Sequence, residues 1–219
     1  MLPPPSRWPP SAFALIAANL VPIAGVMTHH WTVFVVLLLY WSENVVVGIF
    51  NVLRMLCADP QESILWAGKL FIIPFFIVHY GMFTFVHGMF VIALFGGPAY
   101  HTAHAMSLAG LMSAVRSAGI GYAVLFLFVS HGFSFFHNYL GSGEYRRVSL
   151  MQLMAQPYGR IVVLHVTTLI GGALATAAGA PLYAVVVLVL LKTTLDLRAH
   201  LAERAKLGEP AAPPGAVVS

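Results

Sequence analysis

Charge is what this chain has least of. Asp, Glu, Lys and Arg together make up 8% of its 219 residues, against about 25% in ordinary soluble domains. Hydrophobic residues make up 59%, and the mean hydropathy is +0.86. That balance excludes a soluble globular domain and indicates an integral membrane protein. Cysteine is nearly missing: Cys57 stands alone, which excludes an intrachain disulfide and a dithiol redox pair. The surplus of positive charge is only +4 and lies in loops between apolar segments. The pI of 9.4 therefore reflects orientation in a membrane rather than nucleic-acid binding. No small-residue cleavage site follows the leader MLPPPSRWPP and the apolar run behind it, so the first apolar segment is expected to stay as a helix. Internal repeats and inverted halves are lacking too, which counts against a secondary transporter.

What the chain does have is long apolar runs. A helix needs about 20 such residues to cross about 30 Å of hydrocarbon, and six segments qualify: 12–28, 32–55, 66–95, 118–140, 160–178 and 181–201. The expected fold is an all-α bundle of six transmembrane helices spanning residues 12–204 as one domain. Proline-rich, disordered tails are expected at 1–11 and 205–219. With a cytoplasmic N-terminus, the inner side collects Arg7, Arg54, Lys69, Arg146, Arg147, Arg160, Arg198, Arg204 and Lys206, and the outer loops hold only Arg116. This asymmetry predicts both termini inside. Two connections read as amphipathic helices lying on the membrane surface. HAMSLAGLMSAVR, 104–116, spaces Leu108, Leu111, Met112 and Val115 helically, and VSLMQLMAQPYG, 148–159, does the same with Leu150, Met151, Leu153 and Met154. Gly171, Ala175 and Gly179 read as a helix-packing seam.

Against this background the ionisable residues inside the segments stand out. Each costs about 2.5–3.5 kcal/mol at mid-helix on insertion scales, which makes it a functional-site hypothesis. At ~1.5 Å per residue, Glu43, His79, His131 and Lys192 fall at similar depth near the midplane, on four different segments. Asn44 and Ser130 adjoin two of them. A second tier nearer the cytoplasm holds Asn51, His137, Asn138, His165, Asp196 and His200, with Asp196 and His200 four apart on one helix face. His87 lies eight residues beyond His79, about 12 Å along the axis, with no evident partner at its depth.

Three chemistries suit the midplane set. The first is a metal site with His79, His131 and Glu43 as ligands, Glu43 serving alternatively as general base. Zinc or another divalent transition metal would suit these groups, and an open coordination position would activate water for an intramembrane hydrolase. Lys192 would stabilise an oxyanion, and Ser130 or Asn44 would orient a lipid-like or membrane-embedded substrate. His165, Asp196 and His200 form a second candidate metal site or an access path. The ligands would converge from separate helices, since HExxH and HxxxH are both absent. The second chemistry is haem b for electron transfer, with His79 and His131 as axial ligands. The third is a proton or ion relay in which Glu43 and Lys192 pair and the histidines act as stations. The bland alternative is a non-catalytic membrane protein whose polar residues only hydrogen-bond between helices. His29, His30, His101 and His104 read as solvated loop residues.

The motifs YWSENVVVGIFN (40–51), HYGMFTFVHGMF (79–90), SHGFSFFHNYLGSGEYRR (130–147), PYGRIVVLH (157–165) and DLRAH (196–200) resemble a bacterial family of multi-pass membrane proteins of unknown function. The resemblance covers about residues 40–200. It implies location in the bacterial inner membrane and carries no activity. Rhomboid proteases are similar in their six-span layout, but their serine sits in a GxSx motif, whereas Ser130 sits in VSHG, so no serine–histidine dyad is carried over.

Overall fold

The computed structural model describes residues 22, 24–28, 31–59, 63–100, 104–178, 186, 187, 189–194 and 197, and the side chains of all of these except 63–65, 99, 163, 164 and 167–178. Among the described residues there is no strand. The helices are α1 (Val33–Cys57), α2 (Ser63–Phe95), α3 (Leu108–Ser117), α4 (Gly121–Ser134) and α5 (Leu150–Ala178). α4 runs on into a π-helical turn, Phe135–Leu140. Three stretches are long and apolar enough to cross a membrane: Val33–Cys57, Trp66–Phe95 and Gly121–Leu140. They coincide with the expected segments 32–55, 66–95 and 118–140. The expected segment 12–28, most of 181–201 and both tails lie outside the described residues.

α1 is the hub, and its sequence explains why. Most of its face is buried, while α2 and α4 leave large apolar side chains outside, among them Leu70, Phe71 and Val78 on α2 and Leu125 and Phe126 on α4. Exposed apolar surface of that extent suits a lipid environment. α1 and α2 interlock through two reciprocal contacts. Trp41 Nε1 of α1 donates to the Thr84 carbonyl of α2 at 2.7 Å, and Tyr80 of α2 donates its hydroxyl to the Asn44 carbonyl of α1 at 3.0 Å. In each case the residue four positions after the accepting carbonyl is a glycine. A Cβ on Gly88 would come within 2.6 Å of Trp41 Nε1, and one on Gly48 within 2.5 Å of the Tyr80 ring. The missing side chains let the two rings reach helix carbonyls that a Cβ would cover.

The fifth segment differs from expectation. α5 is continuous from Leu150, so the stretch 148–159, expected to lie on the surface, instead supplies the first turns of a 29-residue helix. Pro157 lies inside this helix and cannot donate to the carbonyl four residues back. That carbonyl belongs to Leu153, and Asn51 of α1 fills the vacancy, its side-chain amide donating to Leu153 O at 2.8 Å. The helix therefore passes through Pro157 while being tied to α1. The other connecting helix forms as expected: Ser107 caps α3 by accepting from Gly110 N, Leu111 and Ala114 are buried against α1 and α2, and Leu108 and Met112 stay exposed.

At one end of the bundle Lys69 of α2 donates to the carbonyls of Leu56 at 2.9 Å and Ala58 at 2.5 Å, capping the C-terminus of α1, and it sits 4.1 Å from the Trp66 ring. The π turn brings Tyr139 to the same end, where its hydroxyl donates to Arg54 O at 2.8 Å. Asp59 N donates to Tyr145 O nearby. Arg54, Lys69, Arg146 and Arg147 thus gather at this end, and Arg116, in the last turn of α3, lies at the other.

Gly88→Val is expected to destabilise the detergent-solubilised protein by about 1–3 kcal/mol through overpacking against Trp41. A Cβ on Gly81 meets nothing within 4 Å, so Gly81→Val is expected to cost much less. Thermal melts of the two variants side by side check this, and equal losses would contradict the interlock.

Candidate functional site

Glu43 sits midway along α1, between two clusters of buried apolar residues, one built around Leu37, Trp41, Val91 and Leu111 and the other around Phe50, Phe76, Tyr139 and Leu153. Its two carboxylate oxygens are shared between two cations. Oε1 lies 3.2 Å from Arg160 Nη1 of α5, and Oε2 lies 3.1 Å from Lys192 Nζ in the helical stretch 189–194. The expected pairing of Glu43 with Lys192 is therefore present, and a second cation joins it. Lys192 is buried and also lies 4.7 Å from the Tyr40 ring centre, so carboxylate and aromatic face together hold the ammonium. Arg160 differs: 42% of its side chain is exposed, and its remaining N–H donors have no partner among the described residues. Among the described residues one anion thus faces two cations.

The placement of Arg160 corrects the sequence reading, which counted it among inner-side loop charges. Because α5 begins at Leu150, Arg160 stands about 15 Å into the helix, level with Glu43. Sequence reasoning missed it by starting the segment at residue 160. Glu43 already had Lys192 at its depth, so nothing in the shared-depth argument called for a second cation.

The histidines are arranged along α2 and α5. His79 Nδ1 is 2.7 Å from the Tyr158 hydroxyl, and its ring stacks on Phe75 with centres 5.1 Å apart. His87 Nδ1 is 3.4 Å from His165 Nδ1. The pairing of His87 corrects the expectation that it lacks a partner, and the continuity of α5 moves His165 away from the cytoplasmic tier and up to His87. His131 lies on α4, its ring 6.2 Å from that of Phe50. Among the described residues no three His, Cys, Asp or Glu side chains come together as a metal ion would require. Glu43, His79 and His131 are thus not assembled as the expected ligand set, because Glu43 faces two cations and His79 faces Tyr158. Ser130 is exposed on α4 and makes no hydrogen bond among the described residues. Asn44 donates to Tyr40 O within its own helix. Asp196 and His200, the other two members of the second candidate metal site, lie outside the described residues.

These features define a protein that is all-helical among its described residues, with three helices of membrane-crossing length and apolarity and a charged centre that joins Glu43 of the first of them to Arg160 of α5 and Lys192. The chain belongs to the family of unknown function DUF6498, which it matches over residues 1–213. The match is wider than the motifs within 40–200 suggested, taking in the first apolar segment and most of both tails. No curated protein and no solved structure matches the chain.

Glu43→Gln leaves two cations facing a neutral amide and is expected to cost about 3 kcal/mol or more, because breaking one side of a buried pair strands the other. The joint replacement Glu43→Met with Lys192→Met, which removes one charge of each sign, is expected to recover most of that loss. Thermal unfolding in detergent distinguishes the two variants.

Proposed function

We propose that this is a six-span protein of the bacterial inner membrane, with both termini cytoplasmic, whose centre at Glu43, Arg160 and Lys192 binds the anionic headgroup of a lipid-like, membrane-embedded substrate. The orientation is supported by the collection of Arg54, Lys69, Arg146 and Arg147 at one end of the bundle. α5, with 29 residues, has the length of a further span, and the apolar segments 12–28 and 181–201 bring the number to six.

The observation that carries the ligand reading is the state of Arg160. A guanidinium presents a planar fork of donors suited to carboxylate and phosphate. Here one nitrogen is spent on Glu43 and the side chain stays 42% exposed. Glu43 keeps Arg160 extended at this depth. A cation held among apolar helices is stabilised when an anion arrives, so the centre favours an anionic group whose apolar tail lies beside the helices. Glu43 itself, with both oxygens engaged, is a poor candidate for metal ligation or general-base chemistry. The intramembrane hydrolase reading at Glu43, His79 and His131 has correspondingly less support. A proton relay is the second reading, carried by the 2.7 Å contact of His79 with Tyr158 on the same pair of helices.

Lipid titration with native mass spectrometry or thermal shift tests the ligand reading. Phosphatidylglycerol and phosphatidic acid are expected to stabilise the protein more than phosphatidylcholine, and Arg160→Gln is expected to weaken that preference about tenfold or more, the worth of a charge-assisted hydrogen bond. Indifference to headgroup charge, or an unchanged preference in Arg160→Gln, would overturn it. Proton flux in liposomes that falls in Tyr158→Phe would favour the relay.

A further inference from the structure

We propose that His87 and His165 are two ligands of a divalent transition-metal ion of the zinc class, held between α2 and α5. The inference does not rest on the anion-binding reading, which uses other residues. It starts from a distance. The two Nδ1 atoms face one another at 3.4 Å, with ring centres 5.4 Å apart and planes inclined by 62°. The contact meets hydrogen-bond geometry, but 3.4 Å lies beyond the roughly 2.7–3.2 Å usual for an N–H donor to oxygen. Two metal–nitrogen bonds of about 2.0–2.1 Å meeting at a tetrahedral angle place the nitrogens about 3.3–3.4 Å apart. The observed separation is that of two adjacent corners of such a site.

The setting agrees with the spacing. His87 is 5% exposed, and its neighbour Gly88 is covered by Trp41, so this turn of α2 is fixed against α1. His165 is exposed on α5. Each ring is carried by a helix that is itself tied down, α2 through Trp41 and Tyr80 and α5 through Asn51. Imidazole is a common ligand for zinc, copper, iron and nickel. No third His, Cys, Asp or Glu among the described residues joins the pair, so these two rings supply half of a tetrahedral shell. Both are neutral ligands, so the pair by itself leaves the ion's charge uncompensated.

The test uses the full chain purified in detergent with a histidine-free affinity tag, stripped with chelator and titrated with Zn²⁺ by calorimetry and with Co²⁺ by visible absorption. One ion per chain is expected, with cobalt d–d bands, and binding at least about tenfold weaker in His87→Gln and in His165→Gln. His165 is exposed, so His165→Gln is expected to keep the wild-type melting temperature. That variant therefore reads the site without a folding defect if buried His87 proves sensitive. His79→Gln, which removes a histidine bonded elsewhere, is expected to bind as wild type does. Failure to bind stoichiometrically would overturn the site and leave the two rings as a hydrogen-bonded pair. So would binding that survives in His165→Gln or that is lost only with His101 and His104.

Discussion

A carboxylate halfway along a membrane-length helix must be neutralised, and the arrangement around α1 follows from how this chain meets that constraint. Glu43 draws a cation from α5 and another from the helical stretch 189–194. A single counter-ion would have sufficed for charge balance. The second, Arg160, is only half covered. Structural ion pairs in an apolar interior tend toward closure, with every donor satisfied. This centre remains open on one side, which is the property expected of a site that receives a ligand.

The rest of the packing serves to hold that centre at fixed depth. Trp41 and Tyr80 lock α1 against α2 on either side of Glu43 in sequence, each ring seated over a glycine of the facing helix. Asn51 locks α1 against α5 at the carbonyl that Pro157 leaves free. The lysine that caps α1, Lys69, closes the Arg-rich end. These contacts are hydrogen bonds from side chains to helix carbonyls. Among lipid-facing helices, where apolar burial does not distinguish protein from lipid, such contacts and close backbone approach set the register.

Much of the fold was legible because hydropathy over windows of membrane length is a strong signal: three of the expected segments recur as α1, α2 and the stretch Gly121–Leu140. The depth argument also found Glu43 and Lys192 at one level, and they are paired. It failed where it depended on a helix start. Starting the span at residue 160 placed Arg160 among the inner-side charges and His165 near the cytoplasm, whereas α5 runs back through Pro157 to Leu150, the carbonyl that Pro157 leaves free being held by Asn51, more than a hundred residues away and invisible to local pattern. Rotation was the other missing coordinate. Depth alone set His79 beside Glu43, whereas the helix faces turn His79 to Tyr158 and His87 to His165.

The central claim is that Glu43 and Arg160 are coupled across α1 and α5. A double-mutant cycle with Glu43→Gln, Arg160→Gln and the double variant, read by thermal unfolding in lipid nanodiscs, measures that coupling without reference to any ligand. Discounted for the 42% exposure of Arg160, a coupling of about 1 kcal/mol is expected. Strict additivity of the two substitutions would contradict the account.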